Sequence, residues 1–345
     1  MEPLRREHPD DGPTAHRVNP SAATVESRPR PAGAPDAHLD PYLDHRPMLL
    51  ALAYRLLGSV HDAEDAVQDA YLRWASQDAE AVENPAAFLT TVVTRLCLDR
   101  LRSAAARREL YVGPWLPEPL PTGPADPPVQ RGGPGTDPEA AAALRESASI
   151  AMLLLLERLN PAERAVFVLR EAFDLPYPQI AEIIDHSPES CRQLYRRAGQ
   201  RVSAPPGRAR ASARRPRDPA REQRIVRSFL TAAENGDIEA LAALFRADAV
   251  VLTDGGGKVS AARRPIIGAR KAARMYAHIF PRRFADSAYT FTSFNHQAAL
   301  LVRRPTLDFV YVFDIDDEGL IAHLYLIANP DKLTHLAPRP QPRAG

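Results

Sequence analysis

The sequence predicts a multidomain chain in which two all-α domains, the second a helix-turn-helix, are followed by an α+β cone. Three observations predict this fold class. Helical hydrophobic periodicity fills residues 41–110 and returns over 141–202. Segments rich in Pro, Gly or Arg, 111–140 and 203–220, interrupt it as linkers. Over 221–334, helical patterns give way to the alternation that is typical of strands.

The composition excludes several classes of protein. The 345 residues carry a net charge of only +1, so any contact with nucleic acid must come from local basic faces. Two isolated cysteines, Cys97 and Cys191, predict neither a disulfide framework nor a metal site, and they suit a reducing cytoplasm. We expect no signal peptide, because the N-terminus is charged and Pro-rich and lacks an apolar segment. We expect no membrane span, because the longest apolar run covers only residues 150–156. We also expect no cofactor.

Both ends of the chain are predicted to be tails. Residues 1–40 are rich in Pro, Arg, Asp and Ala and show no periodicity, which favours disorder. Residues 335–345 form a second short tail.

The first helical block contains an amphipathic helix with an acidic face. Its apolar stripe recurs at helical spacing and ends at Trp74, and Gly58 is predicted to end the preceding helix. The polar face consists of Asp62, Glu64, Asp65, Gln68 and Asp69. A solvated acidic surface is the simpler interpretation, and a docking face for a basic partner is the more specific one.

A further helix of this block becomes basic along its length. Asn84 is predicted as its N-cap and Pro85 as its first residue. Its basic side chains are Arg95, Arg100, Arg102, Arg107 and Arg108. Cations near a helix C-terminus are favoured by the helix dipole in any case, whereas the functional interpretation is contact with DNA phosphates.

The second helical block predicts a helix-turn-helix. Asn160 and Glu163 are spaced as in a capping box, and a short turn at Asp185 separates two later helices. Ser187 is predicted to cap the last helix. Its outward residues are Glu189, Arg192, Gln193, Arg196 and Arg197. Arg and Gln are suited to reading guanine and adenine in the major groove, which favours DNA binding over a solvated helical hairpin.

The C-terminal block predicts helices that cover one curved antiparallel sheet, with a hairpin around residues 317–319. Four side chains could line this cone as acids or bases: His296, Asp308, Asp314 and His323. A lone His or Asp on a strand is more often structural or exposed, so we assign no catalytic residue. The run ending at Lys258 lacks the spacing and the Ser or Thr of a phosphate-binding loop.

Three sets of motifs carry a family resemblance. AYRLLGSVHDAEDAVQDAYLRW resembles region 2, and LNPAERAVFVLREAFDLPYPQIAEIIDHSPESCRQLYRRA resembles region 4, of the extracytoplasmic-function sigma factors. WLPEP, DGGGK and NPDKL resemble motifs of the SigJ-type subgroup, which carries a SnoaL-like C-terminal domain. The resemblance covers residues 42–333, although Asp185 stands where the family often has Gly.

The resemblance implies a non-enzymatic, cytoplasmic initiation factor whose partners are core RNA polymerase, through its β′ clamp helices and β subunit, and promoter DNA. The acidic face would dock on the clamp helices. Residues from Asn84 to Arg108 would read the −10 element, and those from Ser187 to Arg197 the −35 element.

The resemblance also suggests regulatory segments, which we expect to lie close together and to hold the C-terminal domain against the DNA-binding domains. They are Trp115, Leu116, Pro117, Glu118 and Pro119; Asp254, Gly255, Gly256, Gly257 and Lys258; and Asn329, Pro330, Asp331, Lys332 and Leu333. Whether the cone binds a ligand stays open. The alternatives are a ligand-sensing helix-turn-helix regulator and a SnoaL-like enzyme fused to a DNA-binding module.

Overall fold

The computed structural model describes residues 39–78, 82–109, 111–122, 147–203 and 218–336, all within one compact unit. Most of both predicted tails and linkers lies outside the described residues, as do residues 141–146. No helix among the described residues is long and apolar enough to cross a membrane.

The first helical domain has three helices: α1 (Leu39–Leu57), α2 (Val60–Ala75) and α3 (Pro85–Glu109). Gly58 ends α1 with a φ of +68°, as predicted from its position. Ser59 begins α2 by accepting a hydrogen bond from the Asp62 N–H. The apolar stripe of α2 is buried down to Trp74, which is fully inaccessible to solvent.

The second helical domain contains α4 (Ile150–Leu156), α5 (Pro161–Glu171), α6 (Tyr177–Ile184) and α7 (Pro188–Ser203). Asn160 and Glu163 form the predicted capping box of α5. The turn between α6 and α7 places Asp185 in the left-handed region, with a φ of +58°. Pro176 is the N-cap of α6, and Pro178 lies in its first turn, where its missing N–H costs no hydrogen bond.

The two helical domains share one hydrophobic core. Leu52 and Val93 of the first domain and Val166 and Ile180 of the second belong to the same buried cluster. Because the core is continuous, separating the two domains would expose apolar surface from both.

The C-terminal domain begins with α8 (Pro219–Glu234) and α9 (Ile238–Leu244) and adds α10 (Ala269–Arg283) to a six-stranded sheet. The strands are β1 (Phe245–Asp254), β2 (Ile266–Ile267), β3 (Ala288–Phe294), β4 (Gln297–Arg303), β5 (Asp308–Ile315) and β6 (Ile321–Ile327), in the order β2-β1-β6-β5-β4-β3. A single 3-10 turn, Pro330–Lys332, follows β6.

The predicted α+β fold class is confirmed, but the sheet is mixed and not antiparallel as expected. β1 runs parallel to β6, whereas the other pairs are antiparallel. The connection between β1 and β6 contains four strands and a helix, which is long enough to permit either direction. Local alternation therefore does not specify how these two strands pair.

Both faces of the sheet are buried. On the helical face, rings such as Phe229, Tyr276 and Phe313 fill the interior of the cone. On the opposite face, Val312 and Tyr325 belong to a cluster with Leu116 of the linker and Ile150 of α4. The linker and α4 are therefore part of the C-terminal domain's packing, and α4 also contributes Leu153 to the core of the helical domains.

Candidate functional site

Asp254, the last residue of β1, is the centre of a buried polar cluster. Its Oδ2 accepts hydrogen bonds from the Lys332 ammonium at 2.7 Å and from the Leu116 N–H at 2.9 Å. Its Oδ1 accepts one from the Tyr111 hydroxyl at 2.6 Å. A fully buried carboxylate is costly unless it is paired and hydrogen-bonded, and here both oxygens have partners.

Lys332 connects this cluster to the linker. Its ammonium lies 4.2 Å from the ring centroid of Trp115 and 4.8 Å from that of Tyr111, within cation–π range. It also donates to the Leu116 carbonyl. Burial raises the pKa of Tyr111, and the adjacent Asp254 carboxylate acts in the same direction. The Trp side chain of the linker therefore contacts a buried cation.

Close approach explains the glycines beside Asp254. A Cβ on Gly256, whose φ is +59°, would lie 2.3 Å from the Asn329 amide nitrogen. A Cβ on Gly255 would lie 2.2 Å from the Val259 carbonyl oxygen. Asn329 itself donates to the Tyr111 hydroxyl at 2.9 Å. The structure thus brings together the three segments 115–119, 254–258 and 329–333.

Glu118 of the same linker contacts α2. The Glu118 carboxylate accepts hydrogen bonds from the Val60 N–H at 2.7 Å and from the Ser59 hydroxyl at 2.8 Å. The N-terminus of a helix carries a partial positive charge, which a carboxylate in this position stabilises. A Cβ on Gly58 would lie 2.9 Å from the Trp115 ring. The segment 115–119 therefore joins the first helical domain to the C-terminal domain.

Asn295, in the turn between β3 and β4, is a junction that the sequence analysis missed. Its amide donates to the Tyr54 hydroxyl at 2.6 Å and to the Ala148 carbonyl at 2.8 Å, and its oxygen accepts from the Leu120 N–H at 3.0 Å. The side chain is fully buried. An Asn between two alternating segments indicates a turn with positive φ, which is +53° here, but no local pattern identifies its partners.

The acidic face of α2 contacts Arg100 of α3. The guanidinium of Arg100 lies 2.7 Å from the Asp69 carboxylate and 3.9 Å from that of Asp65, and it donates to the Asp62 carbonyl at 2.7 Å. Glu64 and Gln68 are exposed. Arg100, which was predicted to bind DNA, therefore contacts the acidic face of α2, which was predicted to dock on a partner.

Arg95, also predicted to bind DNA, contacts the helix-turn-helix in this structure. It donates to the carbonyls of Ile183 and Glu182, each at 3.0 Å, at the end of α6. Cations at a helix C-terminus are stabilised by the unpaired carbonyls there.

The remaining predicted residues of α3 have local partners or lie outside the described part. Asn84 caps the helix by accepting from the Ala87 N–H at 3.0 Å, as predicted. Arg102 pairs with Asp99 at 2.8 Å on the exposed surface. The side chains of Arg107 and Arg108 lie outside the described residues.

Helix α7 presents its predicted outward side chains to solvent. Ser187 caps it by accepting from the Ser190 N–H at 3.1 Å. Arg192 lies 3.1 Å from Glu189 and 5.6 Å from the centroid of the Tyr177 ring. The exposed set is Ser187, Glu189, Arg192, Gln193, Arg196 and Arg197. This surface is accessible for a base-reading contact.

Two buried arginines lie between the helical domains. Arg164 donates to the Leu56 carbonyl at 2.9 Å and pairs with Glu157 at 2.7 Å, and Arg55 donates to the Ser147 hydroxyl at 2.7 Å. Burial lowers the pKa of both guanidinium groups to about 10. The contacts of Arg164 with Leu56 and of Arg55 with Ser147 were not predicted, because partners 108 and 92 residues apart leave no local pattern.

The four side chains that were considered as acids or bases do not line the cone. His323 and Asp314 are hydrogen-bonded at 2.9 Å, but strand alternation directs both away from the face of Phe313 and Leu324. His296 lies in the β3–β4 turn, and Asp308 begins β5 opposite Arg303. Among the described residues, no group of three or more His, Cys, Asp or Glu side chains could hold a metal.

Comparison with known proteins identifies the helical domains. Residues 42–107 match the family model of sigma-70 region 2, and residues 149–202 match that of sigma-70 region 4. The chain is 37% identical over 300 residues to the ECF RNA polymerase sigma factor SigJ of Mycobacterium tuberculosis H37Rv, covering 84% of this chain and 91% of that protein. It is 37% identical over 199 residues to the probable sigma factor SigI of strain CDC 1551, covering 57% and 63%.

The crystal structure of M. tuberculosis SigJ matches the fold with a TM-score of 0.64 at 33% identity, covering 84% of this chain and 96% of that one. The similarity therefore extends through the two helical domains and into the C-terminal domain. The chain belongs to the extracytoplasmic-function family of RNA polymerase sigma factors, whose members bind core polymerase and promoter DNA.

Proposed function

We propose that this sigma factor is regulated in cis by its C-terminal domain, which holds the two promoter-binding domains in one compact arrangement. The observation that carries the proposal is the cluster around Asp254. It connects the C-terminal domain through Lys332 and Trp115 to the linker, whose Glu118 caps α2. Asn295 adds a second connection, from the β3–β4 turn to α1.

Within this arrangement we assign a role to each surface. The acidic face of α2 docks on the β′ clamp helices of core polymerase, and the β subunit contacts the rest of the factor. Helix α3, from Asn84 to Arg108, reads and helps to melt the −10 element. Helix α7 reads the −35 element, which its exposed Arg and Gln side chains support.

Polymerase and DNA must compete with contacts inside the free protein. Arg100 occupies part of the acidic face, and Arg95 is held by the end of α6. Opening would return the buried guanidinium groups of Arg55 and Arg164 to water, which lowers the cost of separating the domains. A difference of a few kcal/mol between closed and open states is enough for a switch.

Run-off transcription with core polymerase tests the proposal. We compare the full chain with Trp115→Ala, with Asp254→Asn and with a truncation that ends at Val202. Loss of inhibition raises activity, whereas loss of a required polymerase contact lowers it, and promoter preference stays unchanged in either case. Asp286→Asn, an exposed change outside the cluster, is the matched control. Equal activity of all variants would show that the C-terminal domain does not regulate transcription, and the proposal would be rejected.

A further inference from the structure

The C-terminal domain contains a strongly basic stretch of sequence. Between Asp254 and Asp286 there is no Asp or Glu, in a chain whose net charge is +1. The eight cationic residues there are all exposed: Lys258, Arg263, Arg264, Arg270, Lys271, Arg274, Arg282 and Arg283. Neither the family resemblance nor the cluster around Asp254 accounts for them, apart from Lys258, which pairs with Asp331 at 2.6 Å.

Helix α10 carries five of these eight residues, and four of the five lie on one side of the helix. Its buried side consists of Ala272, Ala273, Tyr276, Ala277 and Phe280. The opposite side, called the basic face below, consists of Arg270, Lys271, Arg274, His278 and Arg282. At 100° per residue, these five fall within an arc of about 120° and extend over about 18 Å of helix. Successive phosphates of one DNA strand rise by about 3.4 Å, so the basic face spans about five nucleotides.

Helix stability does not explain the basic face. Arg282 lies near the C-terminus of α10, where a cation is favoured, but Arg270 and Lys271 lie in the first turn, where the helix dipole opposes them. The neighbouring helices α8 and α9 instead begin with the capping carboxylates of Asp218 and Asp237.

Intramolecular ion pairs do not neutralise the basic face either. Arg270 lies 3.2 Å from Glu239, but both side chains are more than half exposed, so this pair contributes little. Arg282 contacts the ring and the carbonyl of His278. Within the part of the chain that the structure describes, Lys271 and Arg274 have no carboxylate within ion-pair distance.

We propose that the basic face of α10 is a third DNA contact, which binds the phosphate backbone of promoter DNA without reading its sequence. The inference rests on the proposed function of α7 as the −35 reader. Only residues 204–218 separate α7 from α8, and fifteen residues span at most about 54 Å. A domain tethered this closely to a DNA-bound helix stays near the duplex, where cations release counterions and add affinity.

The salt dependence of promoter binding tests this inference. The holoenzyme is assembled with the full chain and bound to a promoter fragment from the run-off assay between about 50 and 200 mM salt. The triple variant Arg270→Ala, Lys271→Ala, Arg274→Ala should reduce the slope of log affinity against log salt by about 0.9 for each lost phosphate contact. Sequence preference should not change.

A matched control removes three cations of the same domain outside the basic face: Arg224→Ala, Arg246→Ala and Arg304→Ala. It should leave the slope of the parent unchanged. An identical slope for the parent and the α10 variant would overturn the inference, as would a slope that the control lowers equally. Weaker binding of the α10 variant to core polymerase without DNA would assign the face to the polymerase and also overturn it. A parent holoenzyme that transcribes from no promoter would overturn the proposed function, and this inference with it.

Discussion

The Lys332 ammonium lies 2.7 Å from the Asp254 carboxylate, and the two side chains are only 8% and 0% exposed. A second ion pair, between Lys258 and Asp331, lies between the same two segments at 2.6 Å, but its side chains are 55% and 62% exposed. The two pairs therefore combine the same types of charge with opposite degrees of burial, which allows each to act as the control for the other.

Removing Lys332 should destabilise the protein much more than removing Lys258. Lys332→Met leaves the Asp254 carboxylate buried without its counter-charge, so the free energy of unfolding should fall by about 3–5 kcal/mol. Lys258→Met removes an exposed pair and should cost about 0–1 kcal/mol. Urea unfolding followed by tryptophan fluorescence measures both, since Trp115 contacts Lys332. Equal losses in the two variants would contradict the role assigned to burial.

Glu118→Gln should loosen the start of α2 without changing the shape of the side chain. The substitution removes the negative charge that accepts the Val60 N–H, a charged hydrogen bond worth about 1.5–3 kcal/mol. We expect faster hydrogen exchange at the amides of Val60 and His61. Glu83→Gln, an exposed change, is the control. Unchanged exchange at both amides would show that Glu118 does not stabilise this helix end.

Charge reversal of Asp65 and Asp69 should weaken binding to core polymerase and leave the fold intact. The effect should be larger at low salt, where screening is weakest. Arg100→Met should have the opposite effect, because Arg100 neutralises this face in the free protein. Pull-down of core polymerase without DNA measures both variants. If the reversed variant binds as well as the parent, the acidic face is merely solvated.

Arg192→Ala and Arg196→Ala should each lower transcription that depends on the −35 element. Both side chains are exposed one turn apart on α7, and loss of a bidentate base contact costs about 1–3 kcal/mol. Promoter affinity and base preference at each −35 position are the measurements. Gln200→Ala, on the same helix but outside the proposed contact set, is the control. Unchanged affinity and preference in both variants would reject the assignment.

Short-range features of the fold were predictable because their hydrogen bonds join residues three or four positions apart. The capping box of Asn160 and Glu163, the N-caps at Asn84 and Ser187 and the left-handed Gly58 are all confirmed. Residues three or four positions apart also share one face of a helix, so the buried stripe of α2 and the exposed side of α7 could be predicted from periodicity.

Long-range contacts were not predictable from local patterns. Arg95 and Arg100 were grouped as DNA-binding cations, yet one contacts the end of α6 and the other the acidic face of α2. The contacts of Asn295 were missed because its partner Tyr54 lies 241 positions away, and the sequence around a turn residue does not indicate so distant a partner. The parallel pairing of β1 with β6 was missed for the same reason.

The sequence by itself determined the helices, their caps, the family and the three motifs of the linker and C-terminal domain, since each depends on neighbouring residues. Only the tertiary structure decided that Asp254 meets Lys332 and that, among the described residues, Lys271 and Arg274 of the basic face have no carboxylate within ion-pair distance. The physical reason is that desolvation and charge pairing depend on distance and burial, which the chain acquires only when segments far apart in sequence pack together.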